Sequence, residues 1–261
     1  MRVRLNFTVI LLLIALYANS QEIFNPPLKP DIAFITGENL TYQIRYGIIV
    51  AGITNLLLME EVYDNKTVFH ARAVGQTTGM ADKLYSVNDI YESWFDKKTN
   101  LPYKQIRDIS EGRRYTKYNE VTYNRKNNTV HSKLSGTHNV PEKILDLTST
   151  FYYIRRIDFT KVKEGDVILV NMYFSDEIFP FRLIYKGTEA IKTKFGKMDC
   201  LKISPVVEVG RMFKSPDDLT IWFSNDKNCL PVLVKMDIRM IGSVLLKLTQ
   251  YENIRYPLII R

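Results

Sequence analysis

The feature that most constrains this chain is its dense succession of short β-type segments, each followed by a turn. Two apolar stretches, "LLLMEEV" and "TVFHARAV", flank Asp64, Asn65 and Lys66, which have the composition of a hairpin turn. Strands with turns at such short intervals favour an antiparallel sheet over alternating strands and helices. We therefore predict a mainly β fold: a curved antiparallel sheet or an open β-barrel or β-spiral with one central helix.

One segment departs from the strand pattern. Its apolar residues Ile144, Leu147, Phe151 and Ile154 recur at spacings of three and four, which places them on one face of a helix. Asp146 or Thr148 has the side chain needed to cap the start of that helix. The spacing predicts a helix of more than two turns within residues 142–157, and this helix would join two parts of a single β domain.

Each of the two tryptophans in the chain begins a similar sequence motif. Trp94 begins "WFDKKTNLP" and Trp222 begins "WFSNDKNCLP". Proline lacks a backbone N–H, so Pro102 and Pro231 suit the first position of a returning strand. The motif predicts two equivalent hairpins with buried tryptophan anchors, in related halves spanning residues 37–140 and 158–251. The alternative is that such hairpins arise by chance in a tyrosine-rich β protein.

The N-terminus is typical of a secretory signal. Arg2 and Arg4 precede an apolar run over residues 9–18, and small residues follow. The run is shorter than the roughly 20 apolar residues that a spanning helix needs, although a membrane anchor is the alternative. We predict a signal peptide over residues 1–20, a periplasmic location and no transmembrane span after cleavage. Residues 21–36 would form an N-terminal extension and residues 252–261 a C-terminal tail.

Charge and motifs do not indicate a particular reaction. The net charge of +8 fits either an anionic partner or a solvated basic surface, and the scattered basic residues favour the latter. No nucleic-acid partner, cofactor or metal is predicted, because the three histidines are dispersed and no nucleophile elbow, zinc motif or phosphate loop occurs. Whether Cys200 and Cys229 form a disulfide is left open.

Several motifs, in order, resemble those of a known family. They are "GENLTYQIRYGIIVAG", "TTGMADKLYSVNDIYESWFDKKTNLPY", "LDLTSTFYYIRRID" and "SPDDLTIWFSNDKNCLPVLVKMDIRMIGSVLLKL". Together they resemble the domain of unknown function 3108 family of exported bacterial proteins, over roughly residues 37–250, with a composition similar to Bacteroidetes members. The resemblance implies a periplasmic β-barrel or β-spiral, half open like lipoprotein-localisation carriers, and it transfers no catalytic residues.

The central helix is the best candidate for a binding site. A curved sheet encloses a concave face, and a helix carrying aromatic residues could cover it and contact an apolar or lipid-like ligand. The predicted ligand-binding residues are Phe151, Tyr152, Tyr153 and Arg155, with Arg155 and Arg156 near the rim, where they would meet an anionic headgroup. The alternatives are a structural envelope protein with a filled core and, less favoured, an envelope hydrolase.

Overall fold

The computed structural model describes residues 23–206, 214–215, 217–240 and 242–261. Within these residues, fifteen strands form one continuous hydrogen-bonded sheet. The predicted fold class, mainly β with a curved antiparallel sheet, is confirmed. The predicted signal peptide over residues 1–20 lies outside the described residues.

The strands fall into two runs that are consecutive in sequence. The first run is β2 Asn39–Tyr46, β3 Ile49–Tyr63, β4 Lys66–Thr77, β5 Asn88–Phe95, β6 Pro102–Glu111, β7 Tyr115–Asn124, β8 Thr129–Ser132 and β9 Gly136–Asn139. The second run is β10 Val167–Phe174, β11 Glu177–Thr193, β12 Gly196–Pro205, β13 Leu219–Ser224, β14 Pro231–Ile238 and β15 Gly242–Glu252. A two-residue strand, β1 (Ile23–Phe24), pairs in parallel with β10.

The two runs join at the centre of the sheet. Strand β15 pairs antiparallel with β2, so the order across the sheet is β1, β10 to β15, and then β2 to β9. Apart from β1–β10 and β15–β2, every neighbouring pair in the sheet consists of two strands that are consecutive in sequence. The covalent link between β9 and β10 therefore has to cross from one edge of the sheet to the other.

Alternate turns of this meander lie at the same end of the sheet. The turns β14–β15, β2–β3 and β4–β5 share one end, which we call the rim end. The turns β3–β4, β5–β6 and β13–β14 share the opposite end, which we call the plugged end. There Ala33 and Phe34 are buried in the core, and the Asn228 side-chain amide donates to the backbone oxygen of Tyr256 at 2.7 Å. The segments predicted as an N-terminal extension and a C-terminal tail therefore pack against the sheet.

The predicted turn at Asp64 and Asn65 is present. Both residues have positive φ, 49° and 59°, as a two-residue hairpin turn of the favoured hand requires. The twelve residue pairs between β3 and β4 run without a bulge from this turn to Gly52 and Thr77. Local turn chemistry thus fixes the register of the longest hairpin in the first run of strands.

The two tryptophan hairpins have the same construction. Pro102 is the first residue of β6 and Pro231 is the first residue of β14, as the motif predicts. A register shift falls directly after each tryptophan, so that the following phenylalanine pairs with the proline. Trp222 is buried and Trp94 is half-buried.

Each of the two indoles also donates a hydrogen bond to a glutamate. The Nε1 of Trp94 donates to Glu61 at 2.8 Å, and the Nε1 of Trp222 donates to Glu189 at 3.0 Å. Each glutamate lies two strands before its tryptophan in the meander, on β3 and β11 respectively. This correspondence supports the proposal of two related halves, 37–140 and 158–251, which stays a prediction.

Two α-helices occur in the described part of the chain, whereas the sequence predicted one. The short α1 (Gly79–Leu84) occupies the β4–β5 connection at the rim end, and a 3₁₀ turn covers Phe159–Lys161. The central helix, α2, spans Leu147–Arg155 and is shorter than the predicted 142–157. It begins late because Lys143 has a positive φ of 61° and Leu145 pairs with Met172 of β10, so the chain is extended before Asp146.

Candidate functional site

Helix α2 is fixed at its start by a capping box. The carboxylate of Asp146 accepts from the backbone N–H of Ser149 at 2.7 Å, and the Ser149 hydroxyl accepts from the N–H of Asp146 at 3.0 Å. The same carboxylate accepts from the hydroxyl of Ser93 on β5 at 2.5 Å. Burial raises the pKa of Asp146 to about 6, against the lowering effect of these hydrogen bonds. The cap therefore holds the helix to the inside of the sheet.

The two sides of α2 have different surroundings. Leu147, Phe151 and Ile154 face a cavity, as their spacing on one helical face allows. On the other side, Tyr152 packs against Phe34 and Phe95, with ring centroids 4.7 and 5.4 Å away. Of the apolar stripe found in the sequence, Leu147 and Phe151 line the cavity, whereas Ile144 and Ile154 are also buried in core clusters.

The cavity has a volume of about 330 Å³ and its wall is almost entirely apolar. Strands β2, β3, β4, β5, β10, β11, β13, β14 and β15 contribute to it. Its lining from the strands is Tyr42, Thr54, Leu56, Ala73, Tyr91, Met172, Phe181, Ile221, Phe223, Pro231, Val234 and Leu246, and its lining from α2 is Leu147, Thr148, Thr150, Phe151 and Ile154. This volume lies in the lower part of the range of small-molecule pockets.

On four strands the cavity lies on the rim side of the core. On β2 the core residue Leu40 is followed two positions later by the cavity residue Tyr42, and on β15 Leu248 is preceded by Leu246. The same step of two residues on one face separates core from cavity on β3 and β4. In all four strands the step points toward the rim end, whereas Pro231, the first residue of β14, lines the cavity next to the plugged end.

Two hydroxyls in the cavity wall have no hydrogen-bond partner among the residues that the structure describes. They are the Oη of Tyr42 and the Oγ1 of Thr150, and both residues are 3% exposed. Burial raises the pKa of Tyr42, so its hydroxyl is neutral and available as a donor. A buried polar group without a partner costs free energy, and both oxygens lie below the accessible surface of the cavity.

The four predicted ligand-binding residues are not grouped as expected. Phe151 lines the cavity. Tyr152 is fully buried in the core, and Tyr153 packs against a second core cluster on the far side of the helix. Whether Phe151 binds a ligand stays a prediction.

The expectation that Arg155 and Arg156 lie near the rim is wrong. Arg155 is completely buried and its guanidinium pairs with both oxygens of Glu38, at 2.6 and 2.8 Å. Arg156 donates to the side-chain oxygen of Asn100 at 2.7 Å and to the carbonyl of Lys98, in the β5–β6 turn. Both arginines end the helix at the plugged end, because that is where buried carboxylate and carbonyl acceptors are available.

The sequence analysis did not identify Tyr42 and Thr150. Tyr42 lies two positions after Leu40 on β2 and therefore on the same face, and this was the available signal that its side chain points inward. Thr150 lies one position before Phe151 on a helix, where the sequence gives no reason to expect a buried hydroxyl. A pattern of polar and apolar residues indicates on which face of a strand or helix a side chain lies. It does not indicate whether that side chain finds a hydrogen-bond partner there.

The two cysteines are buried and unpaired. Cys200 lies on β12 and Cys229 lies in the β13–β14 turn. Burial raises the pKa of Cys200 to about 12 and that of Cys229 to about 11. Both groups are therefore thiols at neutral pH, which are poor nucleophiles.

Among the described residues, no group of three histidine, cysteine, aspartate or glutamate side chains is placed to hold a metal ion. Within the same residues, none of the helices has the length and apolar character needed to cross a membrane.

The fold and cavity define an open, β-barrel-like protein whose sheet surrounds an apolar space. The chain belongs to the family described as "Protein of unknown function (DUF3108)", whose model matches residues 41–249. A search of curated proteins found no match.

Two solved structures are similar in fold. A beta-barrel-like protein of domain of unknown function DUF1849 from Brucella abortus superposes with a TM-score of 0.56 and 9% sequence identity, covering 87% of this chain and 99% of its own. A DUF1089 family protein from Pseudomonas aeruginosa gives a TM-score of 0.37 and 9% identity, covering 71% of this chain and 90% of its own. The first likeness shows a shared fold.

Proposed function

We propose that this chain is a non-catalytic, exported protein that binds an apolar or lipid-like molecule in the cavity above α2. The observation that carries the proposal is the cavity itself, about 330 Å³ of apolar-walled space at the centre of the sheet. A protein that used its sheet only as a framework would gain stability by filling this space, because a void loses packing contacts. The cavity thus favours binding over the alternative of a structural envelope protein with a filled core.

The wall indicates what kind of molecule fits. Aliphatic and aromatic side chains surround the space, so the bulk of the ligand is apolar. Tyr42 and Thr150 lie in the same wall, but their hydroxyl oxygens, which lack partners among the described residues, are inaccessible from the cavity. We therefore expect a ligand with a hydrocarbon body.

Export is supported by the sequence of residues 1–20, which has the basic, apolar and small-residue sections of a cleaved signal. A periplasmic location follows from that proposal. N-terminal sequencing of the protein from fractionated cells tests it: a chain that starts near Gln21 in the periplasmic fraction supports export. An intact Met1 in the inner membrane would contradict it.

Binding without catalysis is supported by the state of the two cysteines, which are buried thiols with raised pKa values. An envelope hydrolase is the least favoured alternative. Hydrolysis of envelope polymers by the purified protein would overturn the non-catalytic part of the proposal.

Native mass spectrometry of protein purified from its own envelope tests the ligand directly. We expect an adduct that extracts into organic solvent and that a fluorescent fatty acid can replace. The variant Ala73→Phe places a ring in the cavity and should weaken binding of the fatty acid at least about tenfold, because the added ring takes the volume of the ligand. Ala190→Phe adds the same ring at an exposed strand position and should bind like the wild type.

Equal binding by wild type and Ala73→Phe would remove the cavity as the site. A wild-type protein that carries no adduct and takes up no fatty acid would favour the structural role instead.

A further inference from the structure

Three neighbouring hairpin tips at the rim end expose large apolar side chains. We define the apolar rim patch as Tyr46, Ile48, Ile49, Met80, Leu84, Tyr85 and Met240. The extreme members are Met240, Ile48 and Leu84, with exposed fractions of 96%, 91% and 83%. Large apolar side chains exposed together at one end of a folded protein mark a place where something binds.

The tips are held side by side by the sheet. Val244, after the β14–β15 turn, pairs with Tyr46, before the β2–β3 turn. The N–H of Thr78 donates to the carbonyl of Ala51 at 3.0 Å, which joins the α1 connection to the start of β3. Since strands lie about 4.8 Å apart, alternate turns lie about 10 Å apart along this end of the sheet. The patch is therefore a row of separate apolar projections.

The tips also carry excess positive charge. Residues 45–49, 78–85 and 235–242 contain four basic residues, Arg45, Lys83, Lys235 and Arg239, and two acidic residues, Asp82 and Asp237. Asp237 is paired with Lys235 at 2.8 Å, and Asp82 accepts from the Thr77 hydroxyl at 2.9 Å. Arg45 is held at the tip by donating to the carbonyl of Ile48 at 2.9 Å.

From this juxtaposition we propose that the apolar rim patch docks on a lipid surface bearing anionic headgroups. Apolar tips enter the boundary between headgroups and acyl chains, while basic side chains beside them meet the anionic groups. A fluid surface accepts separate projections without a complementary shape, which suits a row of tips better than the flat contact of a protein interface.

The position of the cavity indicates what docking on a lipid surface would achieve. On β2, β3, β4 and β15 the cavity wall lies nearer the rim end than Leu40, Leu58, Ala71 and Leu248 of the core. Docking by the rim end would bring the cavity to the lipid surface, so that an apolar molecule passes between them with little contact with water. Because this docking rests on the proposed function for the identity of its cargo, the tests below measure surface binding and cargo binding separately.

Co-sedimentation with vesicles of phosphatidylethanolamine and phosphatidylglycerol tests the docking. The triple variant Ile48→Ser, Leu84→Ser and Met240→Ser should lose at least about tenfold in partitioning, because each replaced side chain had apolar area to bury in the lipid. Val62→Ser is the matched control, since Val62 is 74% exposed but lies beside the β3–β4 turn at the plugged end. It should partition like the wild type.

A separate measurement tests how much the basic residues contribute to vesicle binding. Arg45→Gln should weaken binding to the phosphatidylglycerol-containing vesicles by about threefold to tenfold, and added salt should shrink this difference. On vesicles of phosphatidylcholine alone, the same variant should match the wild type.

Cargo binding separates this inference from the proposed function. The triple variant should still bind the fluorescent fatty acid with wild-type affinity, whereas Ala73→Phe should lose the fatty acid and keep its vesicle binding. Loss of both activities in the triple variant, with an unchanged circular dichroism spectrum, would overturn the separation of the two sites.

Three results would overturn the docking proposal. The first is a wild-type protein that does not sediment with vesicles, and the second is a triple variant that sediments as well as the wild type. The third is a wild-type dimer in light scattering that the triple variant converts to a monomer without any effect of vesicles, since the patch would then bind a second copy.

Discussion

At the scale of single residues, the pair of Arg155 and Glu38 connects three parts of the plugged end. The guanidinium holds the carboxylate with two hydrogen bonds, and its Nε donates to the carbonyl of Asn228 at 3.1 Å. Helix α2, the entry to β2 and the β13–β14 turn are therefore joined by one buried ion pair. Such a pair is stable only while both partners are present, because either charge alone would lack compensation.

A double-mutant cycle on this pair tests that dependence. Arg155→Met alone or Glu38→Met alone should lower the free energy of unfolding by about 3–5 kcal/mol, since each leaves one buried charge unpaired. The double variant should recover most of the loss, because neither charge remains. Urea denaturation followed by circular dichroism measures all four proteins, and a double variant as unstable as the sum of the singles would contradict the pairing.

The two tryptophans should differ in what they contribute. Trp222→Ala should cost about 3–5 kcal/mol, as expected for a large side chain removed from a core. Trp94→Ala should cost less, because Trp94 is only half-buried. Chemical denaturation of both variants decides this, and an equal or larger cost at Trp94 would show that its stacking on His70, at 4.0 Å between ring centroids, matters more than burial.

The sequence could predict the anchors but not the arginine. Trp94 and Trp222 are rare, apolar and placed before turns, so their type and context indicate a role in packing. Arg155 is of a type that is almost never fully buried unless paired, and its partner Glu38 lies 117 positions earlier in the chain. No local pattern links residues so far apart, so the expectation of an exposed arginine was reasonable and wrong.

At the scale of elements, the start of α2 combines a cap with a titrating group. The pKa of Asp146 is about 6 in the folded chain, against an ordinary value of 3.8. Between these two values the folded chain holds a proton that the unfolded chain releases. The contribution of Asp146 to the free energy of unfolding is therefore highest below the lower pKa and falls as the pH rises through the higher one.

Asp146→Asn removes this titration while keeping an acceptor for the cap. Compared with the wild type, the variant should gain about 2–3 kcal/mol in relative stability between about pH 4 and pH 7, since a shift of one pKa unit corresponds to about 1.4 kcal/mol. Urea denaturation at a series of pH values measures the difference between the two proteins.

Asp158→Asn is the control, with the opposite sign. The Thr160 hydroxyl holds the pKa of Asp158 below its ordinary value, so the variant should lose relative stability as the pH rises through the acidic range. A wild type and Asp146→Asn variant with parallel pH profiles would show that Asp146 does not take up a proton on folding.

The helix also shows how far periodicity goes at this scale. The spacing of Leu147, Phe151 and Ile154 predicted a helix, and a helix is present. The same spacing could not predict that Leu147 and Phe151 would line a cavity while Ile154 also packs in a core cluster, because an apolar stripe normally faces the core. On the other side of the helix Tyr152 and Arg155 are fully buried.

At the scale of the whole molecule, the seam between β15 and β2 makes one sheet of the two runs of strands. Eight residue pairs join β15 to β2, from Val244 and Tyr46 to Glu252 and Asn39. Because one hydrogen-bonded sheet spans both runs, we expect them to unfold together.

The single tryptophan in each run provides a reporter for this test. In Trp222→Phe, fluorescence comes from Trp94 in the first run of strands, and in Trp94→Phe it comes from Trp222 in the second. Each variant should give one urea transition by fluorescence that coincides with its transition by circular dichroism. Fluorescence midpoints that depart from circular dichroism in opposite directions would mean that the two runs unfold separately.

Hairpins and their order could be predicted from the sequence, since each turn and its flanking strands are neighbours in the chain. The seam could not, because β2 and β15 pair across almost the whole domain. Local sequence patterns likewise do not determine whether the curved sheet closes into a barrel, because the curvature depends on how fifteen strands twist together.

The position of the seam also sets the order of events when the chain folds. Nearly every other strand pair can form as soon as two successive strands exist, but the central pair needs residues from both ends of the domain's sequence, such as Asn39 and Glu252, 213 positions apart. Closing so long a loop is entropically costly, and topologies rich in such contacts fold slowly. Until β15 arrives, β2 is an unpaired edge strand that can pair with another chain. The middle of the finished sheet is thus the last part to form its strand pairs, and the nascent chain is most prone to pair with another chain there.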